Sequence, residues 1–142
     1  MSERGSITLW TLGLTVMVLF LGGISLDLWR AFEVREDLAA MADSAANAGA
    51  SFIDGATYRD AGILQLDEVA ATSAANAHLD TQQDSGKITN RGDPNSIAVN
   101  GATLTVTLEG KVEFTLLRIF LLGVRDPVRV AATGSAEAIP AL

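Results

Sequence analysis

The chain has no cysteine. That excludes a disulfide framework and thiolate chemistry, and the fold must hold without covalent staples. It has a single histidine and a single tyrosine among 142 residues, which leaves few groups for catalysis. Residues 5–26 carry no charged side chain, and no proline or turn cluster separates them from the residues that follow, up to 52. Positive charge is scarce. From residue 27 onward nine Lys/Arg stand against sixteen Asp/Glu, about −7 in all. This disfavours nucleic acid as a partner, because phosphate binding needs clustered positive charge. No internal repeat is visible.

What is present is one dominant stretch. Residues 5–52 read as a single long helix in two halves. The first half, 5–26, is apolar over about 20 residues, enough to cross the ~30 Å hydrocarbon core of a bilayer. The second half, from Asp27, is amphipathic. At roughly 1.5 Å per residue the whole makes a rod of about 72 Å, of which under half fits in lipid. The rest must stand clear of the membrane with the remaining chain packed around it. Gly23-Ile24-Ser25 is a small-x-small triplet of the kind a signal peptidase cleaves. The apolar run is longer than a usual signal core, however, and the helical pattern runs through the triplet, so a retained anchor is expected. The basic residues (Arg4 on one side, Arg30 and Arg35 on the other) do not by themselves favour a cytoplasmic N-terminus.

Within the apolar half, Thr8, Thr11, Thr15, Gly22 and Ser25 share one face, opposite Trp10, Leu14, Met17 and Leu21. Small residues let another helix approach closely in lipid, so this face is a candidate for helix packing. Beyond the membrane, Ala31, Val34, Leu38, Met41, Ala45, Ala48 and Phe52 alternate steps of three and four, a heptad-type seam of mostly small residues. The seam is expected to face the domain's own core.

Asp54-Gly55-Ala56-Thr57 is expected to end the rod, and a loop with Tyr58 and Arg59 to follow. A second helix is expected over 66–80, with Asp67 as N-cap and a small apolar face of Val69, Ala70, Ser73, Ala77 and Leu79. Residues 81–96 read as a polar surface loop. Residues 97–99 and 103–108 then form a hairpin about Asn100-Gly101, with Leu104, Val106 and Leu108 on one side of the second strand. Gly110 is expected to break that strand, and 111–114 to begin another. Residues 116–122 hold six large apolar side chains around Arg118, too few to span a bilayer. Leu117, Phe120 and Leu121 of this segment are candidates for a second membrane contact. A last strand is expected over 128–139, with Val128, Val130 and Ala132 alternating against Arg129 and Ala131. The fold class is therefore α+β: a long pilin-like N-terminal helix, a second helix and a small antiparallel sheet. The boundary falls between an anchor with its tail (1–26) and a domain (27–142).

Arg4-Gly5-Ser6, the apolar span, Asp27-Leu28-Trp29-Arg30-Ala31, and the Ala-rich Leu38-Ala39-Ala40-Met41-Ala42-Asp43-Ser44-Ala45-Ala46 with Ala48-Gly49-Ala50 make a pattern that resembles the TadE/TadG-like proteins of the tight-adherence (Flp) pilus system. The resemblance covers about a third of the chain; the C-terminal half is similar in outline only. It implies a single-pass membrane protein, N-terminus in the cytoplasm, domain periplasmic or extracellular. It also implies other pilus or secretion-machine subunits as partners, including a second TadE/TadG-like protein, with assembly through the long helix. One feature departs from the pseudopilin pattern. With Gly5 as a processing glycine, the fifth residue after it is Trp10, where that pattern has Glu, and residues 5–26 contain no acid. This moves the resemblance toward the TadG side and away from prepilin-type processing.

Other candidates are weaker. Asp27 borders the apolar run with Arg30 three residues on, within reach on the same helix; it marks where lipid ends or plays a role inside the membrane. Arg91-Gly92-Asp93 is an integrin-type tripeptide that a Gly-Asp-Pro turn also explains. Asn90, Asp93 and Asn95 offer oxygens to Ca²⁺ without the spacing of an EF-hand. His78 has no partner signature. No nucleophile, base or phosphate loop can be assembled, so no catalytic, cofactor or metal residue is assigned. The leading expectation is a structural, non-enzymatic minor pilin-like component of a tight-adherence pilus or related secretion machine. The alternatives are a stand-alone membrane-tethered adhesion module and a subunit of a hydrolase complex whose catalysis lies elsewhere.

Overall fold

The structure, a computed structural model, describes residues 3–82, 85–90, 96–115 and 126–139. Helix α1 runs unbroken over Glu3–Ala50. It is the one helix among the described residues long and apolar enough to cross a membrane. Its outer half is the spine of an α+β head. The head adds helices α2 (Gly55–Ala61) and α3 (Glu68–Thr81) and strands β1 (Ile88–Asn90), β2 (Ile97–Asn100), β3 (Thr103–Val112) and β4 (Val128–Glu137).

The sheet is antiparallel and centred on β3. Strand β4 pairs with β3 along its full length, from Thr103↔Glu137 to Val112↔Val128. The other edge of β3 is shared by two short strands, β2 opposite Thr103 to Val106 and β1 opposite Glu109 and Gly110. Alternation decides which face is inside. Leu104, Val106, Leu108 and Val112 of β3 are buried, as are Ala132, Ala136 and Ala138 on β4 and just past it. The threonines between them point outward, where Thr107 and Thr133 share a hydroxyl hydrogen bond of 3.2 Å across the strands.

This inner face lies on α1, and α3 packs against α1 beside it. Small residues set the distance. Ala42, Ala45, Ala46 and Ala50 of α1, Ala71 and Ala75 of α3 and Ala132 and Ala136 of β4 are all buried, with Leu38, Leu79 and the β3 leucines filling the space between. At the far end from the anchor four connections meet. Ile53 bridges Leu66, Asp67 N–H donates to Phe52 O (3.0 Å), Leu66 N–H to Gly101 O (2.9 Å) and Ala138 N–H to Ala102 O (2.8 Å). Side-chain ties also fix α1 to later segments, among them Gln82 Nε2 to Ser44 Oγ and Lys87 Nζ to Asp37 Oδ2, both 2.6 Å.

Several details differ from the sequence expectation. Asp54 does not end the rod in a loop. It caps α2, a seven-residue helix that buries no side chain and closes with Gly62 N–H on Tyr58 O. The second long helix begins after Asp67, which does accept from the Val69 and Ala70 amides at 3.1 Å. Its inward face is Ala71, Ala75 and Leu79 rather than Val69, Ala70, Ser73 and Ala77; Val69 is 81% exposed. Part of the expected polar loop is strand β1, because β3 has a free edge there for Ile88 and Asn90 to pair with. The hairpin turn is Gly101-Ala102, one residue later than expected, since Asn100 pairs with Thr103. Gly101 has φ +63°, as a two-residue loop opening on glycine requires. Gly110 does not break β3, which continues to Val112. A side chain there would meet Leu38 Cδ1 at 2.8 Å and Lys87 O at 3.2 Å, so the glycine admits the helix to the sheet.

Candidate functional site

Three sectors of α1 carry whatever this protein does at a membrane. The first is the apolar half. Its side chains from Ile7 to Leu21 are all exposed, with Trp10 at 77% and Leu21 at 52%. On the candidate packing face the Thr11, Thr15 and Ser25 hydroxyls are already satisfied within the helix. Thr11 donates to Ile7 O (2.9 Å), Thr15 to Thr11 O (2.8 Å) and Ser25 to Leu21 O (2.9 Å). In lipid an unsatisfied hydroxyl would cost several kcal/mol (roughly) and seek a partner. These do not need one, so the face offers methyl groups and a bare backbone. Gly22 leaves open space around it. Thr8 lies on the same exposed surface.

The second sector is the junction. Asp27 is 1% exposed, the one buried charged residue among the described residues. Its Oδ1 accepts the backbone N–H of Thr115 at 3.2 Å, and Arg30 Nη1 donates to Thr115 Oγ1 at 3.1 Å. Both residues of the expected Asp27–Arg30 pair thus reach the same threonine, 88 and 85 positions away. The chain leaving β3 comes back to the base of the head. Sequence reasoning singled out Asp27 and Arg30 but missed Thr115, for which no local signal exists. One turn below Asp27, Gly23 is buried too.

The third sector is the seam within the head. Val34 is half-buried, and Leu38, Met41 and Ala45 are buried against the sheet and α3. Phe52 departs from the expected seam. It lies past the end of α1 and is 45% exposed, because the chain turns at Ser51. The buried stripe is broader than a heptad seam and takes in Ala42, Ala46 and Ala50, since α3 and β4 both lie on this helix.

The remaining candidates do not join these sectors. His78 is half-buried in the last turn of α3. Leu117, Phe120 and Leu121, the Arg91-Gly92-Asp93 tripeptide, and Asp93 and Asn95 of the oxygen cluster lie outside the described residues. Asp54 has its carboxyl held below the ordinary 3.8. The main cause is the Thr57 hydroxyl donating at 2.5 Å, followed by the Thr57 and Ala56 amides. That is the work of a helix cap.

A helix whose first half is long and apolar enough to cross a membrane, and which continues without a break into the core of a small antiparallel α+β head, is a pilin-like architecture. Residues 5–51, a third of the chain and almost the whole of α1, match the family described as "Putative Flp pilus-assembly TadE/G-like". No curated protein and no solved structure matches the chain. The family points to a structural rather than a catalytic role, to membrane anchoring and to other pilus-machinery subunits as neighbours.

Proposed function

We propose that the protein is a structural, non-enzymatic, membrane-anchored minor pilin-like component of a tight-adherence pilus or a related secretion machine. The observation that carries the reading is α1 itself. The TadE/G-like match coincides with a helix whose first half is exposed and apolar and whose second half is the spine of the head. In this reading the N-terminus is cytoplasmic and the head stands outside the membrane. Assembly with other subunits, a second TadE/TadG-like protein among them, runs through the long helix. The exposed face of Thr11, Thr15, Gly22 and Ser25 suits an intramembrane neighbour, because close backbone approach drives helix association in lipid. The missing acid in residues 5–26 sets the protein apart from subunits that enter a filament by the pilin route.

The test is genetic. Deleting the coding sequence in the host should abolish or sharply reduce surface filaments counted by electron microscopy. The full chain should restore them, and the chain lacking residues 1–26 should not. Unchanged filaments in the deletion strain would remove the protein from the machine.

A further inference from the structure

The charge-free run 5–26 suggests that lipid ends at Leu26. The structure points elsewhere. Beyond Asp27 the surface of α1 turned away from the head stays apolar as far as Phe32, before the exposed Glu33 and Glu36. Leu28 is 51%, Trp29 71% and Phe32 58% exposed. A continuous apolar groove runs along the helix past Val18, Gly22, Leu26 and Trp29, across the supposed boundary without a change of character. If water began at Leu26, these large side chains would form a wet apolar patch next to the anchor.

Asp27 does not oppose a deeper boundary. At about 100° per residue, Trp29 lies roughly 200° around the helix from Asp27, on nearly the opposite face. Asp27 is on the face closed by protein, 1% exposed and accepting from Thr115. That face is already closed at Gly23, inside the apolar run. The helix at this level therefore has two sides, one covered by its own protein and one apolar and bare. A carboxylate is expensive in a bilayer when lipid meets it; here lipid meets Leu26, Leu28 and Trp29 instead.

Spacing supplies the second boundary. The chain has two tryptophans, Trp10 and Trp29, and both are more than 70% exposed. Nineteen residues of helix separate them, about 28 Å, close to the ~30 Å of the hydrocarbon core. Tryptophan collects at both membrane–water interfaces, where its apolar ring and N–H suit the headgroup level. We infer that the bilayer is gripped between Trp10 and Trp29, with Phe32 and Arg30 in the outer headgroup layer, so that the base of the head at Asp27 and Thr115 is level with the lipid surface. Arg30 is placed to serve both sides, holding Thr115 while its charge stays at headgroup height.

The inference rests on the anchor reading above, and depth-dependent quenching separates the two. Each of the variants Trp10→Phe and Trp29→Phe leaves one tryptophan to report. Both residues are exposed, so the fold does not depend on either ring. The full chain is reconstituted in phosphatidylcholine vesicles whose acyl chains are brominated either near the headgroup or near the bilayer centre. In Trp10→Phe, the remaining Trp29 should lose more than about half its emission to the upper bromines and less to the central ones, as an interfacial ring would. Trp10 should behave the same way in Trp29→Phe. Trp29 left unquenched with red, water-like emission, while Trp10 is quenched, would overturn the placement and leave the anchor intact. Trp29 quenched chiefly by the central bromines would overturn it from the other side. Quenching of neither would end the anchor reading as well.

Discussion

Gly134 of β4 lies against the backbone of Ala42 in α1. A methyl built on the glycine would stand 2.5 Å from the Ala42 carbonyl carbon and closer still to the Asp43 backbone nitrogen. No side chain can relax to make room, because the obstacle is main chain. Gly134→Ala should therefore push strand from helix and cost about 1–3 kcal/mol, the usual range for overpacking. Thermal unfolding of the detergent-solubilised chain, followed by circular dichroism, reads this as a lowered midpoint. Gly86→Ala, in open space, is the matched control and should leave the midpoint where it was.

Leu38 is fully buried between α1 and the sheet, with its Cδ1 close to the space above Gly110. Leu38→Asp would bury an unpaired carboxylate and should destabilise the head by about 3–5 kcal/mol. The same melting experiment checks it. An unchanged midpoint would mean that the sheet does not lie on this helix.

The junction makes a sharper prediction. Asp27→Ala should strip the Thr115 amide of its acceptor, and hydrogen exchange at Thr115 should rise by about tenfold or more. Asp27→Asn keeps an acceptor oxygen and should preserve most of the protection. Equal exchange in wild type and both variants would show that the Thr115 contact is not maintained in solution.

Asp54 gives a pH dependence with a definite sign. Its carboxyl is held below the ordinary 3.8, first by the Thr57 hydroxyl and then by the Thr57 and Ala56 amides. A depressed folded-state value means that the cap's contribution is fully present above 3.8 and is lost as pH falls through the lower folded value. In an NMR titration the Asp54 carboxyl midpoint should lie below 3.8, and Thr57→Val should move it back up. Fraying of α2, seen at the Ala56 and Thr57 amides, should follow the same titration.

How much of this was legible in the sequence depends on contrast. Helix α1 could be read because nothing in 48 residues interrupts it and its first half carries no charge. Strand β3 could be read because Leu104, Val106 and Leu108 alternate with threonine. Helix α3 could be located from Asp67 but not turned the right way. Its candidates for the inner face are nearly all alanine, and the largest, Val69, points to water. Strand β1 has three residues and takes its shape from the free edge of β3, which no local pattern announces. Gly110 reads as a strand breaker because a missing side chain looks the same in sequence whether it loosens a strand or admits a neighbour. The junction was half legible. Asp27 stood out as an acid beside an apolar run, while Thr115 is an ordinary residue until the fold brings it back.

The continuity of α1 makes the protein a lever. No proline or break in the helix separates the part read as lying in lipid from the part that carries the head, and α1 runs on as helix through Gly22-Gly23, so the two move together. About 20 residues of α1 lie beyond Trp29, an arm of roughly 30 Å. An anchor tilting by ~20°, an ordinary angle for a membrane helix, would carry the tip of that arm about 10 Å sideways. A neighbour that thins the bilayer or leans on the span would thereby re-aim the head without touching it.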